Sequence, residues 1–364
     1  MSKQVVLIPG EDAAAEAFEE TVIVLDCLID HLGLDIEWIR PAVGQAGIDE
    51  FNNPFPDQAK HAIDHSDATL FGATSGKSGR ALRYLRWGLE SYANVRPVRW
   101  FPGCNSPLSA PEGIDLAIVR ENMEDVYIGV EGDLKILQPM NFTSWLSNKP
   151  LNELGEGRFG LKVHTEKSVT RIVKYACELA IKRAELSNRN PILACGTKHN
   201  ISPVADGYFR TIARETAAEY PEVTFTSLLA DDLIHQLIIN PQQFDVVVLP
   251  NLFGDLFSDA TAALVGGLGL APSGCYGENG AYFEAVHGTA PDIVGQNIIN
   301  PTATILSAAM MLEYLGFDEP ARQVIGCVEQ IYVEGKYLTP DQGGQSTTTE
   351  FCNSLKEKLR SSNK

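Results

Sequence analysis

Apolar and polar positions follow two alternating periods along the chain. Val5-Val6-Leu7-Ile8 is an unbroken apolar run closed by Pro9-Gly10, the pattern of a short buried strand. Phe18, Val22, Leu25 and Ile29 then recur at helical spacing, and Gly33 stands where such a helix would stop. Residues 68–71 predict a second strand, followed by the loop Gly72-Ala73-Thr74-Ser75-Gly76. Leu82, Leu85 and Leu89 mark a helix after that loop. Residues 116–119, 192–194 and 245–249 are further buried apolar runs. Val169, Ile172, Val173, Ala176 and Leu179 predict a long helix, and residues 305–315 a strongly apolar one ended by Gly316. Strands alternating with helices predict an α/β fold with a mainly parallel sheet. Residues 139–158 carry Asn, Gly and Pro with weak periodicity and read as an excursion from the core. The polar tail from Ser361 is expected to fray.

Composition narrows the class. A chain of 364 residues exceeds one ordinary core and predicts two domains or one large α/β unit. The formal net charge of −18 argues against a general nucleic-acid or anionic-membrane binder. It leaves room for a small anionic substrate, because a local arginine cluster can dominate inside an acidic protein. The seven cysteines are scattered, with no CxxC pair, which argues against a disulfide framework or zinc knuckle. Free thiols in a reducing compartment are the plain reading. No run approaches the length of a membrane span or a signal peptide, so the expected location is the cytoplasm.

Four constellations could carry chemistry. Asn251-Leu252-Phe253-Gly254-Asp255-Leu256-Phe257-Ser258-Asp259 follows an apolar strand. If a helix begins near Gly254, Asp255 and Asp259 share one face, where a hard divalent metal suits two carboxylates. The same spacing also fits aspartates favoured by a helix dipole. Arg86, Arg96 and Arg120 form a set that suits a di- or tricarboxylate, although surface arginines would look alike. Lys198 follows a strand; beside a metal its pKa would fall and it could act as a base, whereas a solvated loop lysine is the plain alternative. Glu284-Ala285-Val286-His287-Gly288-Thr289-Ala290-Pro291-Asp292, with Asn300 beyond, suits a nucleotide or an ordinary surface loop. An acid beside the ribose would accept the 2′-hydroxyl of NAD and repel the 2′-phosphate of NADP.

One motif misleads. Gly72-Ala73-Thr74-Ser75-Gly76-Lys77-Ser78 resembles a Walker A loop, but three residues separate its glycines where four are needed. GxGxxG occurs at Gly155-Glu156-Gly157-Arg158-Phe159-Gly160, but no apolar strand run precedes it, so neither a P-loop nucleotidase nor a standard Rossmann site is supported.

Taken in order, these segments resemble the isocitrate/isopropylmalate dehydrogenase family. The resemblance runs from about residue 68 to 351. It rests on Leu85-Arg86, Tyr92-Ala93-Asn94-Val95-Arg96-Pro97 and Val119-Arg120-Glu121-Asn122-Met123-Glu124-Asp125-Val126-Tyr127. It continues through Lys198 with Asn200, Ala230-Asp231-Asp232, the segment 251–259, Gly266-Gly267-Leu268-Gly269, His287 to Asp292, and Thr339-Pro340-Asp341-Gln342-Gly343-Gly344.

The resemblance implies a two-domain α/β fold that is not a standard Rossmann fold. Residues 1–95 and 264–364 would form a cofactor-side domain. Residues 96–263 would form the dimerising, metal and substrate domain, with a clasp near 139–158. It further implies a homodimer with a shared active site, and NAD with Mg²⁺ or Mn²⁺ as cofactors. Thr74, Arg83, Arg86, Arg96, Arg120 and Asn200 would contact the substrate. Asp255 and Asp259, with Asp231 of a second subunit, would hold the metal. Lys198, also from that subunit, would assist deprotonation of the hydroxyl, and Tyr127 would act as general acid. Glu284, His287, Gly288, Thr289, Ala290, Asp292 and Asn300 would line the cofactor site. The implied reaction is NAD-dependent oxidative decarboxylation of isocitrate, with homoisocitrate next, and D-malate, tartrate or isopropylmalate after it. A regulatory subunit of a heteromeric dehydrogenase is the non-enzymatic alternative; retention of the catalytic set speaks against it.

Two segments depart from the family pattern. After Pro9-Gly10 the family continues Asp-Gly-Ile-Gly-Pro-Glu, whereas here Glu11-Asp12-Ala13-Ala14-Ala15-Glu16 favours a helix and weakens any cofactor contact from this loop. Isocitrate enzymes carry Gly-Gly-Ile-Arg-Ser-Leu-Asn before the next helix. Here Arg80-Ala81-Leu82-Arg83-Tyr84-Leu85-Arg86 is more similar to homoisocitrate enzymes. Extra arginines near the substrate's far end would argue against isopropylmalate, whose tail is apolar.

Overall fold

The computed structural model describes residues 2–362. The chain opens with β1 (Lys3–Ile8), α1 (Asp12–Leu32), β2 (Ile36–Ile39), α2 (Gln45–Phe51), α3 (Asp57–Asp64), β3 (Ala68–Phe71) and α4 (Gly79–Arg83). Next come β4 (Ala93–Arg99), β5 (Asp115–Glu121), a β6–β7 ribbon (Glu131–Asp133 with Arg158–Gly160) and α5 (Glu166–Ser187). β8 (Ile192–Thr197), α6 (Ala205–Ala217), β9 (Thr224–Leu229), α7 (Ala230–Ile239), β10 (Val246–Leu249) and α8 (Asn251–Ala262) follow. β11 (Pro272–Tyr276), β12 (Ala281–Ala285), α9 (Thr302–Tyr314), α10 (Asp318–Glu334) and α11 (Thr348–Ser361) complete it.

Among the described residues, ten strands form one sheet in the order β2-β1-β3-β12-β11-β4-β5-β10-β8-β9. The pairs β12–β11, β11–β4 and β4–β5 are antiparallel and the others parallel. Helices pack on its faces, so the fold is the α/β architecture the alternating periods predict. The parallel strands are legible because both faces are covered: β1, β3 and β10 bury Leu7, Leu70 and Val247 completely. α1 ends at Gly33, left-handed at φ 65°, as the spacing requires.

One large apolar cluster joins the two ends of the chain, with Phe18 and Leu25 of α1 against Leu312, Val328 and Phe351. Two others lie between residues 93 and 265, around Ile172 and Val248 and around Ile118 and Leu233. The boundary expected at residue 95 falls inside β4, so one sheet is continuous across it. The 139–158 excursion contains short 3₁₀ turns and a Thr143–Pro150 bridge, reaches β7 at Arg158, and exposes Phe142, Trp145 and Leu146. Among the described residues no helix is long and apolar enough to cross a membrane.

Two local expectations differ from what forms, and a third falls partly outside the described residues. α8 begins at Asn251, ahead of Gly254, because Pro250 ends β10 at once. Fraying is expected from Ser361, and Ser361 is the last residue of α11, a helix fixed at its start by a Thr347–Glu350 capping box; residues 363 and 364, on which the rest of that expectation falls, lie outside the described residues. The helix marked by Leu82, Leu85 and Leu89 is α4 followed by a π-type turn over Tyr84–Gly88. Tyr84 lies over Gly88, where a Cβ would sit 2.4 Å from its ring, and Leu89 N bonds back to Tyr84 O at 3.0 Å. The widened turn keeps Leu85 and Leu89 buried and carries Arg86.

Glu121 ends β5 with 2% exposure, and burial pushes its carboxyl up to about 7 against the N–H donors of Glu124 and Met123. A carboxyl raised in the fold binds a proton the unfolded chain has already lost, so stability falls as pH rises between about 4.5 and about 7. Glu121→Gln should therefore gain about 2 kcal/mol relative to wild type between pH 5 and pH 8. Urea unfolding at the two pH values checks this; parallel changes in both proteins would refute it.

Candidate active site

The site forms where β5 and β10 lie side by side, with Arg120 level with Leu249. Arg120 is 1% exposed. Its Nε donates to Asn251 Oδ1 at 2.9 Å and its Nη1 to Asp255 Oδ1. Gly254 makes this possible: a Cβ there would lie 2.6 Å from the Arg120 Cβ and Cγ. Arg96 of β4 reaches the same helix, donating through Nη1 to Ser258 Oγ at 2.6 Å, Asp255 Oδ1 at 3.1 Å and Asp259 Oδ1 at 3.4 Å. Tyr127 donates its hydroxyl to Asp255 Oδ2 at 2.6 Å and lies under the Arg120 guanidinium, 4.9 Å from the ring centre. Arg86 approaches Glu284 Oε1 at 3.9 Å and Tyr282 Oη at 3.5 Å.

Charge crowding sets the proton affinities. Burial and the nearby Arg96 lower Arg120 to about 10, with Asp255 opposing. Burial would raise Asp255, but Arg120, Tyr127 and Arg96 together hold it below the usual carboxylate range. Burial raises Asp259 against the pull of Arg96, and Asp255 adds to the rise. Burial, with the bond to Asp255, raises Tyr127, so the phenol keeps its proton. Burial raises Glu284 against the three arginines.

Thr74, Arg86, Arg96, Arg120, Tyr127, Asp255, Glu284, His287 and Gly288 line one cavity of about 210 Å³. Nine of the expected residues, drawn from seven parts of the chain, thus meet. Leu82 also lines it, whereas Arg83 is exposed and outside the wall, because the turn of α4 presents the leucine inward. Lys198 and Asp231 stand apart from this wall. They pair with each other, Nζ to Oδ1 at 2.5 Å, on exposed ends of β8 and α7. Asn200 is exposed beside them. Among the described residues no group of three metal-type side chains forms within one chain.

In the 284–300 segment, His287 Nδ1 bonds Gly288 O at 2.9 Å, while the buried Nε2 has no partner among the described residues. Burial lowers the His287 pKa, which favours the neutral ring. Thr289 is buried and its carbonyl accepts from Ala14 N at 3.1 Å. Ala290 is left-handed at φ 52° and Asp292 is exposed. Asn300 commits its amide to Tyr332 Oη and Asp341 and its oxygen to Thr302 N, so its side chain braces the loop.

The chain matches the isocitrate/isopropylmalate dehydrogenase family over residues 4–355. It belongs to that family. It is 37% identical over 355 residues to a 3-isopropylmalate dehydrogenase of Archaeoglobus fulgidus, covering 97% of this chain and 98% of that one. It is also 37% identical over 367 residues to an isocitrate/homoisocitrate dehydrogenase of Thermus thermophilus, covering 99% and 100%. The crystal structure of an isocitrate dehydrogenase from Methylococcus capsulatus superposes with a TM-score of 0.82 at 33% identity, covering 98% of this chain and 99% of that one. The isocitrate/isopropylmalate dehydrogenase family is one of decarboxylating hydroxy-acid dehydrogenases that use NAD(P) and Mg²⁺ or Mn²⁺. These relatives are all named as dehydrogenases and differ in the acid they are named for.

Three residues of the site escape the sequence reading. Asn251 and Ser258 lie in the segment read for its carboxylates, and their bonds to Arg120 and Arg96 become visible only once β4, β5 and α8 are packed. Glu11 reads as a mere departure from the family pattern, yet it holds Thr74.

Proposed function

We propose that this chain is an NAD-dependent isocitrate dehydrogenase that yields 2-oxoglutarate and CO₂ with Mg²⁺ or Mn²⁺. The observation that carries this reading is the charge imbalance of the cavity. Three guanidinium groups face the carboxyls of Asp255 and Glu284, and the buried Arg120 Nη2 has no partner among the described residues. Inside a chain of net charge −18, such a pocket suits a substrate with more than one carboxylate.

The residues present fit both cofactors. Asp255 and Asp259 are hard oxygen donors one helical turn apart that already share the Arg96 guanidinium, and a divalent cation suits the same pair. Asp231 of a second subunit would complete the set. With Nδ1 bonded to Gly288 O, the free Nε2 of His287 can accept from a nucleotide hydroxyl or amine. Asp292, in the first turn after Pro291, supports NAD over NADP. When bound, NAD accepts the hydride and the cation acts as a Lewis acid toward the substrate's developing charge. Arg86, Arg96 and Arg120 would grip the carboxylates, and Thr74 and Asn200 would edge the site. Lys198 of a second subunit would take the hydroxyl proton. Tyr127, which keeps its proton, would return one to the carbon that loses CO₂.

Leu82 supports a second reading, because an apolar tail such as that of isopropylmalate would pack on it. The far carboxylate of isocitrate or homoisocitrate would instead recruit Arg83 from the same helix. Arg83→Ala should lower kcat/KM for isocitrate about tenfold or more and leave isopropylmalate within about threefold. Equal losses, or none, would move the assignment to the apolar substrate.

A further inference from the structure

The loops after β1 and β3 pass so closely that neither glycine at the crossing can carry a side chain. A Cβ at Gly10 would lie 2.2 Å from Ala73 O, and one at Gly72 would lie 2.0 Å from Pro9 O. Glu11 N donates to Ala73 O at 2.9 Å, and Asp12 turns left-handed at φ 55° to begin α1. This crossing directs the Glu11 side chain into the 74–78 loop.

There its Oε2 accepts from Ser75 N at 2.5 Å, Thr74 Oγ1 at 2.8 Å, Gly76 N at 3.1 Å and Ser75 Oγ at 3.3 Å. Its Oε1 accepts from Ser78 N at 2.7 Å and from the Ser78 hydroxyl. Convergent N–H and O–H donors of this kind form a nest for a free anion. Here the anion belongs to the chain, so the loop that resembles a phosphate cradle is filled from within. Burial pushes Glu11 up, but the bonds from Ser78, Thr74 and Ser75 bring it below its ordinary value. Ala73 and Thr74 line the arginine cavity, and Thr74 spends its only hydroxyl proton on Glu11.

We propose that Glu11 is a positioning residue for the substrate: as a built-in anion it organises the Thr74–Ser78 loop and so fixes the edge of the cavity that receives the acid's tail. The inference rests on reading that cavity as the substrate site.

Glu11→Ala should raise KM for the 2-hydroxy acid about tenfold while kcat stays within about threefold, since Arg120, Tyr127 and Asp255 are untouched. Acetate should enter the vacated nest. It should bring the KM of Glu11→Ala back toward wild type in a saturable manner and raise that variant's Tm, with neither effect on wild type. Glu11→Gln keeps the shape and one acceptor oxygen, and should give the same split to a smaller degree even if the alanine variant does not fold. An unchanged KM in either folded variant, or no response of Glu11→Ala to acetate in both KM and Tm, overturns the proposal. Wild type that turns over none of the candidate acids would overturn the activity reading instead; the Tm response to acetate would still report on the nest.

Discussion

Asp255→Asn is expected to lower kcat/KM by about three orders of magnitude and to destabilise the fold by about 2–4 kcal/mol. Both oxygens of Asp255 are engaged: Oδ1 accepts from Arg120 and Arg96, and Oδ2 accepts from Tyr127. An asparagine can keep its oxygen toward the two guanidinium groups and turn its NH₂ to the phenol, which can accept, but it is neutral and no longer offsets their charge. Arg120 is the group that suffers most. It is almost wholly buried and already has an unpartnered Nη2, so losing the carboxylate leaves its charge uncompensated. The same change replaces one of the three carboxylates proposed for the metal with a neutral amide. Steady-state kinetics and calorimetry on one preparation check both parts. A variant within about tenfold of wild type would remove Asp255 from the centre of the site.

Lys198→Ala is expected to lower kcat by about a thousandfold while isocitrate still binds and Tm hardly moves. The small stability effect follows from exposure, because a solvent-exposed pair such as Lys198–Asp231 contributes about 0–1 kcal/mol. The large kinetic effect follows from the proposal that this pair serves the cavity of a second copy. Hybrid dimers separate this from action within one chain. A dimer of one Lys198→Ala chain and one Tyr127→Phe chain retains one site with both residues intact, so it should show about half the wild-type rate. Hybrids as inactive as their parents would place Lys198 in its own chain's site.

Much of this architecture is legible in the sequence because buried parallel strands leave unbroken apolar runs and covered helices leave regular ones. Residues at the ends of those runs were readable too. Arg120 closes β5, and Asp255 lies one turn into the helix that follows β10. Legibility fails where function depends on packing between distant segments. Glu11 meets the 74–78 loop only because Gly10 and Gly72 let two backbones touch. The roles of Leu82 and Arg83 depend on how α4 and the π-type turn after it face the cavity, which leucine spacing alone does not encode. Lys198 and Asp231 stand clear of the cavity wall, and a single chain does not hold the surface they would complete.

The most direct test is a set of initial rates for isocitrate, homoisocitrate, isopropylmalate and D-malate, each with NAD and with NADP, in Mn²⁺ and again in EDTA. Isocitrate with NAD should lead by about an order of magnitude or more in kcat/KM, and EDTA should abolish the rate. A lead for isopropylmalate, or a rate indifferent to EDTA, would contradict the account.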